Sequence, residues 1–269
     1  MNFTKKLMVQ PGTKVKLPDF DPSETFGYSD DKKTQAKQAK ILTRLDDLQY
    51  LFYAVKDRAL LIVLQGMDTA GKDGTIRHVM SSMSPQGCRV TSFKSPTPDE
   101  LAHDFLWRIH WAIPERGFIE IFNRSHYEDV LVVRVHKLVP KKVWKARYDE
   151  INEFEKLLVQ NEIHIVKFFL HISKDEQTKR LQERLTDPAK SWKISVADFA
   201  ERKYWDDYVS AYEEALSRCS TEWAPWFIIP ANHKWFRNFA VSKILMETFE
   251  SFDMQLPQPP VDVSKLDLR

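Results

Sequence analysis

Apolar residues recur along this chain in two alternating rhythms. Over 32–56, Ile41, Leu42, Leu45, Leu48, Leu51 and Phe52 return at three- and four-residue steps, which gathers them on one face of a helix. The following run, ALLIVLQG, is apolar without a break and stops at a glycine. That pattern predicts a strand at 59–65, buried on both faces as in a parallel sheet. Helical spacing resumes over 72–82. Further strands are predicted at 89–93, 118–122, 163–172 and 226–229. Helices are predicted at 99–113, 126–136, 148–162, 175–185, 196–218 and 236–252. Strands separated by helices imply the α/β class, with a five-stranded parallel sheet between two helical layers. Right-handed crossovers make this a three-layer α/β/α sandwich. Ligands of such sheets bind beyond the carboxyl ends of the strands. The stretch 1–31 has no sustained period and reads as an extended arm lying on a single domain that spans 1–269. The Pro-rich stretch 256–269 reads as an extended tail.

Composition narrows the function classes. Hydrophobic residues make up 43% and charged residues 29% of the 269, which excludes wholesale disorder. The longest apolar runs, 50–55 and 59–64, fall far short of the roughly 20 residues of a membrane-spanning helix, and the N-terminus has no apolar signal core. No membrane partner is expected. Two cysteines, Cys88 and Cys219, build neither a disulfide framework nor a zinc site, which points to a reduced, cytoplasmic protein. A net charge of +2 gives no sign of a nucleic-acid partner. The chain has 7 glycines, and three of them, Gly66, Gly71 and Gly74, crowd just after the first predicted strand.

That crowding forms Gly66-Met67-Asp68-Thr69-Ala70-Gly71-Lys72-Asp73-Gly74, which carries the G-x-x-x-x-G-K spacing of a phosphate-binding P-loop (Walker A) between a strand and a helix. Backbone N–H groups of such a loop wrap an anion, the helix N-terminus adds its positive end, and the lysine neutralises phosphate. All of these residues except Asp68 are therefore expected to bind phosphate. The usual Ser/Thr after the lysine is replaced by Asp73. An acid beside phosphates repels them unless a cation lies between, so Asp68 is either a turn residue pointing away or a ligand of Mg2+. The third strand ends at Asn123, where P-loop enzymes place a metal-binding aspartate. Its amide oxygen can bind an ion without bringing charge. Arg124 can contact phosphate oxygens with both prongs of its guanidinium, or pair with Glu128 one helical turn on. His126 and Tyr127 read as packing or orienting residues. Beyond the fourth strand, 174–218 carries Lys179, Arg180, Arg184, Lys190 and Lys193. Arg180 and Arg184 share one helix face and suit a lid closing over a transferring phosphoryl group. Lys179 and Glu183 read as a surface pair. The aromatic residues of 230–237 border a nucleotide or belong to the core.

GMDTAGKDGT, FKSPTPDE, IFNRSHYEDVLVVRVH, RLQERLTDPAKSWKIS and PANHKWFRN, in this order, closely resemble the second family of polyphosphate kinases, from about PDFDPSETFGY to FESFDMQLPQP. The resemblance implies a P-loop kinase core with a helical lid. It implies Mg2+-dependent, reversible phosphoryl transfer between inorganic polyphosphate and a nucleotide, with Mn2+ as a substitute metal. Asp68 matches the loop aspartate expected to hold the metal, with help from Asn123. Lys72 matches the loop lysine on phosphate, and Arg124, Arg134, Arg180 and Arg184 match arginines expected along the phosphate path. Lys94, within FKSPTPDE, joins the expected phosphate-binding set. Asn123 and Glu128 depart from the aspartate and asparagine of the ADP-specific branch and are similar to the class III branch, which phosphorylates AMP as well as ADP. They are the nucleotide-binding expectation, with ADP, ATP and AMP as ligands. Relatives are often oligomeric, so a homo-oligomer is expected. Two rivals stay open: a nucleoside monophosphate kinase using ATP as donor, and a polyphosphate or nucleotide sensor without turnover.

Overall fold

The computed structural model describes residues 2–259 and 261. Among them, five strands form one parallel sheet: β1 (Ala59–Gln65), β2 (Cys88–Ser92), β3 (Ile119–Asn123), β4 (Ile163–His171) and β5 (Trp226–Pro230), in the order β2-β3-β1-β4-β5. β1 lies at the centre, and every one of its residues is buried. That is why it reads as a continuous apolar run, and each of its Leu, Ile and Val side chains contributes about 1.5–3 kcal/mol by leaving water. The register sets Leu64 opposite Asn123, Ser92 opposite Asn123, and Gln65 opposite Phe169. The strand ends are therefore level, and the loops that follow them open at one edge of the sheet.

In chain order the helices are α1 (Phe3–Leu7), α2 (Lys32–Val55), α3 (Lys72–Val79), α4 (Pro98–Leu101), α5 (Trp107–His110), α6 (Val132–Val135), α7 (Lys141–Gln160), α8 (Lys174–Thr186), α9 (Val196–Glu201), α10 (Trp205–Cys219) and α11 (Lys234–Glu250). α11 packs on α2 and α3, while α10 packs on α6 and α7, which also lies against β4. These two groups are the outer layers of the sandwich. Among the described residues no helix is long and apolar enough to cross a membrane.

Three predicted helices are broken in the structure. The span 99–113 becomes α4 and α5, because Asp104 turns the chain: its Oδ1 accepts from the Leu106 amide at 2.9 Å and its carbonyl from the Trp107 amide at 3.1 Å. The span 126–136 becomes a 3-10 turn, His126–Asp129, and the short α6. The span 196–218 splits into α9, a 3-10 turn at Arg202–Tyr204, and α10. The arm is not extended throughout either. α1 buries Phe3 against Phe26, Tyr28, Phe236 and Phe239. The Val9 amide then donates to the Trp226 carbonyl at 2.8 Å, so the arm covers the β5 edge of the sheet. The segment 254–259 has no regular structure. Most of the rest of the predicted tail lies outside the described residues.

Candidate active site

The loop after β1 departs from regular backbone at three points. Gly66 has φ 153°, and a methyl group there would stand 2.8 Å from the Leu170 carbonyl oxygen, so the position needs glycine for space. Thr69 has φ 66° and closes a tight turn in which the Ala70 amide donates to the Met67 carbonyl at 3.0 Å. The Ala70 N–H is thus spent inside the loop and does not face an anion, against the expectation for this residue. Gly71, at φ 103°, caps α3. Lys72 opens that helix and donates from Nζ to the Gly66 carbonyl at 2.8 Å, which folds the ammonium back over the loop. Burial, helped by the nearby Arg124 charge, holds the Lys72 pKa below its ordinary value, while Asp68, Glu128 and Asp73 oppose the shift.

Two buried guanidiniums brace this loop from below. Arg180 of α8 donates from Nε to Glu176, from Nη1 to the Thr69 and Ala70 carbonyls, and from Nη2 to the Ala231 and Asn232 carbonyls, at 2.6–3.0 Å. All five of its N–H groups are committed. This corrects the expected phosphate contact: Arg180 ties the P-loop to the exit of β5, because four backbone carbonyls and the Glu176 carboxylate take its donors. Arg237 of α11 donates from Nη1 to the Ala70 carbonyl at 3.3 Å. Gln177 of α8 adds a bond from Nε2 to the Asp68 carbonyl at 3.1 Å.

The acids form two polar pairs above the loop. Asp68 points inward, its Oδ1 accepting from Arg124 Nη2 at 2.9 Å. Asp73 accepts from Asn123 Nδ2 at 2.7 Å, across the ends of the first helical turn and β3. Glu128 accepts from Gln65 Nε2 at 3.1 Å and makes no direct bond to Arg124. Burial works against the Arg124 charge, but Glu128 and Asp68 outweigh it and hold the guanidinium above its ordinary pKa. Among the described residues no group of three His, Cys, Asp or Glu is placed to hold a metal by itself. Mg2+ takes one or two carboxylates and completes its shell with water and substrate phosphates. Asp68 and Asp73 in one cavity, with the Asn123 side chain bonded to Asp73, fit that requirement.

Two cavities meet at Asp68, Ser95 and Arg124. The larger, about 700 Å³, is lined by nine Lys and Arg side chains against three carboxylates. It brings together Lys72, Lys94, Arg124, Arg184, Asp73 and Asn123, with the lid's Lys190 and Lys193. Glu183 belongs here too. It pairs with Lys234 at 3.3 Å and Lys190 at 3.5 Å, not with Lys179. The smaller cavity, about 290 Å³, holds Glu128, Met67 and the aromatic side chains Trp205, Tyr208 and Tyr212. The two expected nucleotide residues are therefore divided, Glu128 in the smaller cavity and Asn123 in the larger. Arg134 lines neither. It pairs with Glu214 at 2.7 Å and lies over the Trp144 ring, facing a separate cleft. The α6 turn directs it there, away from the strand ends.

The sequence reading missed Arg237, Gln177 and the aromatic face of α10. Trp205, Tyr208 and Tyr212 recur at three- and four-residue steps, a signal hidden by the many charges around them. At the rim, Glu201 of α9 accepts from Tyr208 at 2.8 Å and lies 2.9 Å from His136 Nε2, which fastens the lid over the smaller cavity.

The family profile described as "Polyphosphate kinase 2 (PPK2)" matches residues 28–257. The AMP/ADP-polyphosphate phosphotransferase of Meiothermus ruber is 51% identical over 263 residues, covering 97% of this chain and 98% of its own length. The ADP-polyphosphate phosphotransferase of Rhodopseudomonas palustris is 47% identical over 268 residues, covering 95% of this chain and 92% of its own. The crystal structure of polyphosphate kinase 2 from Arthrobacter aurescens TC1 superposes with a TM-score of 0.94 at 43% identity, over 98% of this chain and 94% of that one.

Proposed function

The chain belongs to the polyphosphate kinase 2 family, and from that premise we propose that it transfers the terminal phosphoryl group of inorganic polyphosphate to ADP, giving ATP, and to AMP, giving ADP. The observation that carries this reading is the junction of two unlike cavities at Asp68 and Arg124. A strongly cationic cleft suits a flexible polyanion. A smaller cleft lined by aromatic rings suits a nucleoside, whose base stacks on such faces. The donor's terminal phosphorus and the acceptor's phosphate oxygen then meet where the cavities touch. The acceptor oxygen attacks the terminal phosphorus, the P–O–P bridge of the polymer breaks, and the shortened chain leaves with the bridging electrons. The acceptor is already anionic, so no general base is required, and the residues position and neutralise.

Lys72 and Arg124 balance the charge that develops on the transferred group. Arg184, Lys94, Lys190 and Lys193 hold the polymer along its length. Arg180 acts through the loop it braces. Asp68, with Asp73 and Asn123 beside it, would hold Mg2+, which would supply positive charge against the substrate phosphates. Glu128, fixed by Gln65, stands in the nucleotide cavity and sets the room left for AMP or ADP. The cationic lining favours a polymeric donor over ATP, which counts against the monophosphate-kinase rival. The test is direct: the protein with Mg2+, ADP and long-chain polyphosphate, without ATP, should form ATP in proportion to polymer consumed, and AMP in place of ADP should yield ADP. ATP formation independent of polymer, or binding without any transfer, would refute the proposal.

A further inference from the structure

Arg237 has no part in the arrangement above except its long bond to the loop, yet it is held at considerable cost. It is only 3% exposed. It lies in the first turn of α11, where the positive end of the helix dipole opposes a cation. Burial and the neighbouring Arg180 charge together press its pKa down to about 10. Its partners among the described residues carry no charge. The Asn238 side-chain oxygen accepts from Nε at 3.2 Å and Nη2 at 2.9 Å, and the Ala70 carbonyl accepts from Nη1 at 3.3 Å. A guanidinium has five N–H groups, so one on each terminal nitrogen is uncommitted.

Two glycines make room for that end of the side chain. A methyl group at Gly71 would sit 1.9 Å from Arg237 Nη1, and one at Gly74 would sit 3.2 Å from Nη2. Gly74 is inside α3 and has no left-handed backbone to justify it. A helical glycine costs about 0.5–1 kcal/mol relative to alanine, and the space it leaves is filled by the guanidinium. Arg237 also lines the larger cavity, with Lys72 and Gly71.

We propose that Arg237 is a phosphate-binding residue, whose two uncommitted N–H groups take an oxygen of the polyphosphate chain at the floor of the cationic cavity. The site rests on the reading that polyphosphate occupies this cavity. A purely structural Arg237 would only prop the Ala70 carbonyl. The two roles separate by measuring binding of inorganic tripolyphosphate to the full chain by calorimetry, alongside KM for polyphosphate and for ADP. Arg237→Gln should weaken tripolyphosphate at least about tenfold, the effect of one lost charge-assisted hydrogen bond. It should raise the polyphosphate KM similarly and leave the ADP KM within about twofold, and Arg237→Lys should recover part of the loss. Unchanged tripolyphosphate affinity, or an equal rise in both KM values, would overturn the assignment. If Arg237→Gln does not fold, Gly74→Ala keeps the charge but presses a methyl onto Nη2. It should also weaken tripolyphosphate, and unchanged affinity there would likewise overturn the site. Wild-type protein that binds tripolyphosphate through Arg237 yet transfers nothing would refute the proposed activity and leave this site standing. Transfer with undiminished affinity in Arg237→Gln would do the reverse.

Discussion

Arg124 occupies backbone that few side chains accept, with φ 63° at the exit of β3. Its amide donates to the Leu64 carbonyl at 3.1 Å, which continues the sheet for one more bond while the left-handed turn swings the side chain back to Asp68. Such a conformation costs a non-glycine residue about 1–2 kcal/mol, and strain of this kind collects at functional positions. Arg124→Gly should therefore relieve strain as it removes the half-exposed ion pair, and these two effects nearly cancel. We expect a melting temperature close to wild type, with turnover of polyphosphate and ADP lowered by about 10²-fold or more, the scale of losing one charge-stabilising group. A variant that melts much earlier, or one that keeps its rate, would contradict the role given to Arg124. The placement of the site residues was legible where spacing constrains it. Asp68, Lys72 and Arg124 stand at fixed offsets from strand ends, and the topology delivers strand ends to one edge. Arg237 has no such offset, because its meeting with Gly71 and Gly74 is made by packing between segments remote in the chain.

At the scale of elements, the P-loop is held from outside as much as by its own glycines. α8 and α11 each send a buried arginine under it, and both arginines reach the Ala70 carbonyl. The three- and four-residue rhythm showed that Arg180 and Arg184 lie on one face of a helix. It did not show that Arg180 would be consumed by carbonyls of two other segments, since partners of that kind leave no local trace. The broken helices have a related cause. Apolar spacing continues through 99–113, but the Asp104 side chain offers the backbone a competing turn. Arg180→Met should leave the Thr69, Ala231 and Asn232 carbonyls and Glu176 without this donor, and the Ala70 carbonyl with Arg237 alone. Removing one partner from a buried charged network costs about 3–5 kcal/mol, so a denaturant titration should show a loss of that size. The loosened loop should raise KM for polyphosphate and nucleotide together. A stable Arg180→Met protein with only the polyphosphate KM raised would instead return Arg180 to direct phosphate contact.

Across the whole molecule, one buried charge cluster ties the sheet to the helical layer beneath the site. Lys167 of β4 donates to Glu155 of α7, to the Tyr127 hydroxyl at 2.8 Å and to the Cys219 carbonyl at 2.7 Å. Glu155 also accepts from Tyr127 at 2.9 Å and lies 3.2 Å from His126 Nε2. Lys167, Glu155, His126 and Tyr127 are wholly buried, and the last two lead directly out of the Arg124 turn. Burial alone would raise the Glu155 pKa, but Lys167 and His126 win and hold it below its ordinary 4.5. A depressed carboxyl lends stability that is fully present above the unfolded pKa and is lost as pH falls through the folded one. In wild type this contribution therefore persists unchanged between pH 7 and 5. Lys167→Met reverses the sign. Without its ammonium, burial lifts Glu155, the folded protein binds a proton that the unfolded chain does not, and the variant regains stability as pH falls toward 5. Denaturant titrations should show a deficit of about 3–5 kcal/mol at pH 7 that narrows at pH 5. The double variant Lys167→Met/Glu155→Leu should recover much of the deficit at both values, because no charge is then left buried. A deficit independent of pH would mean that the Lys167 stem, and not its charge, is what the core requires.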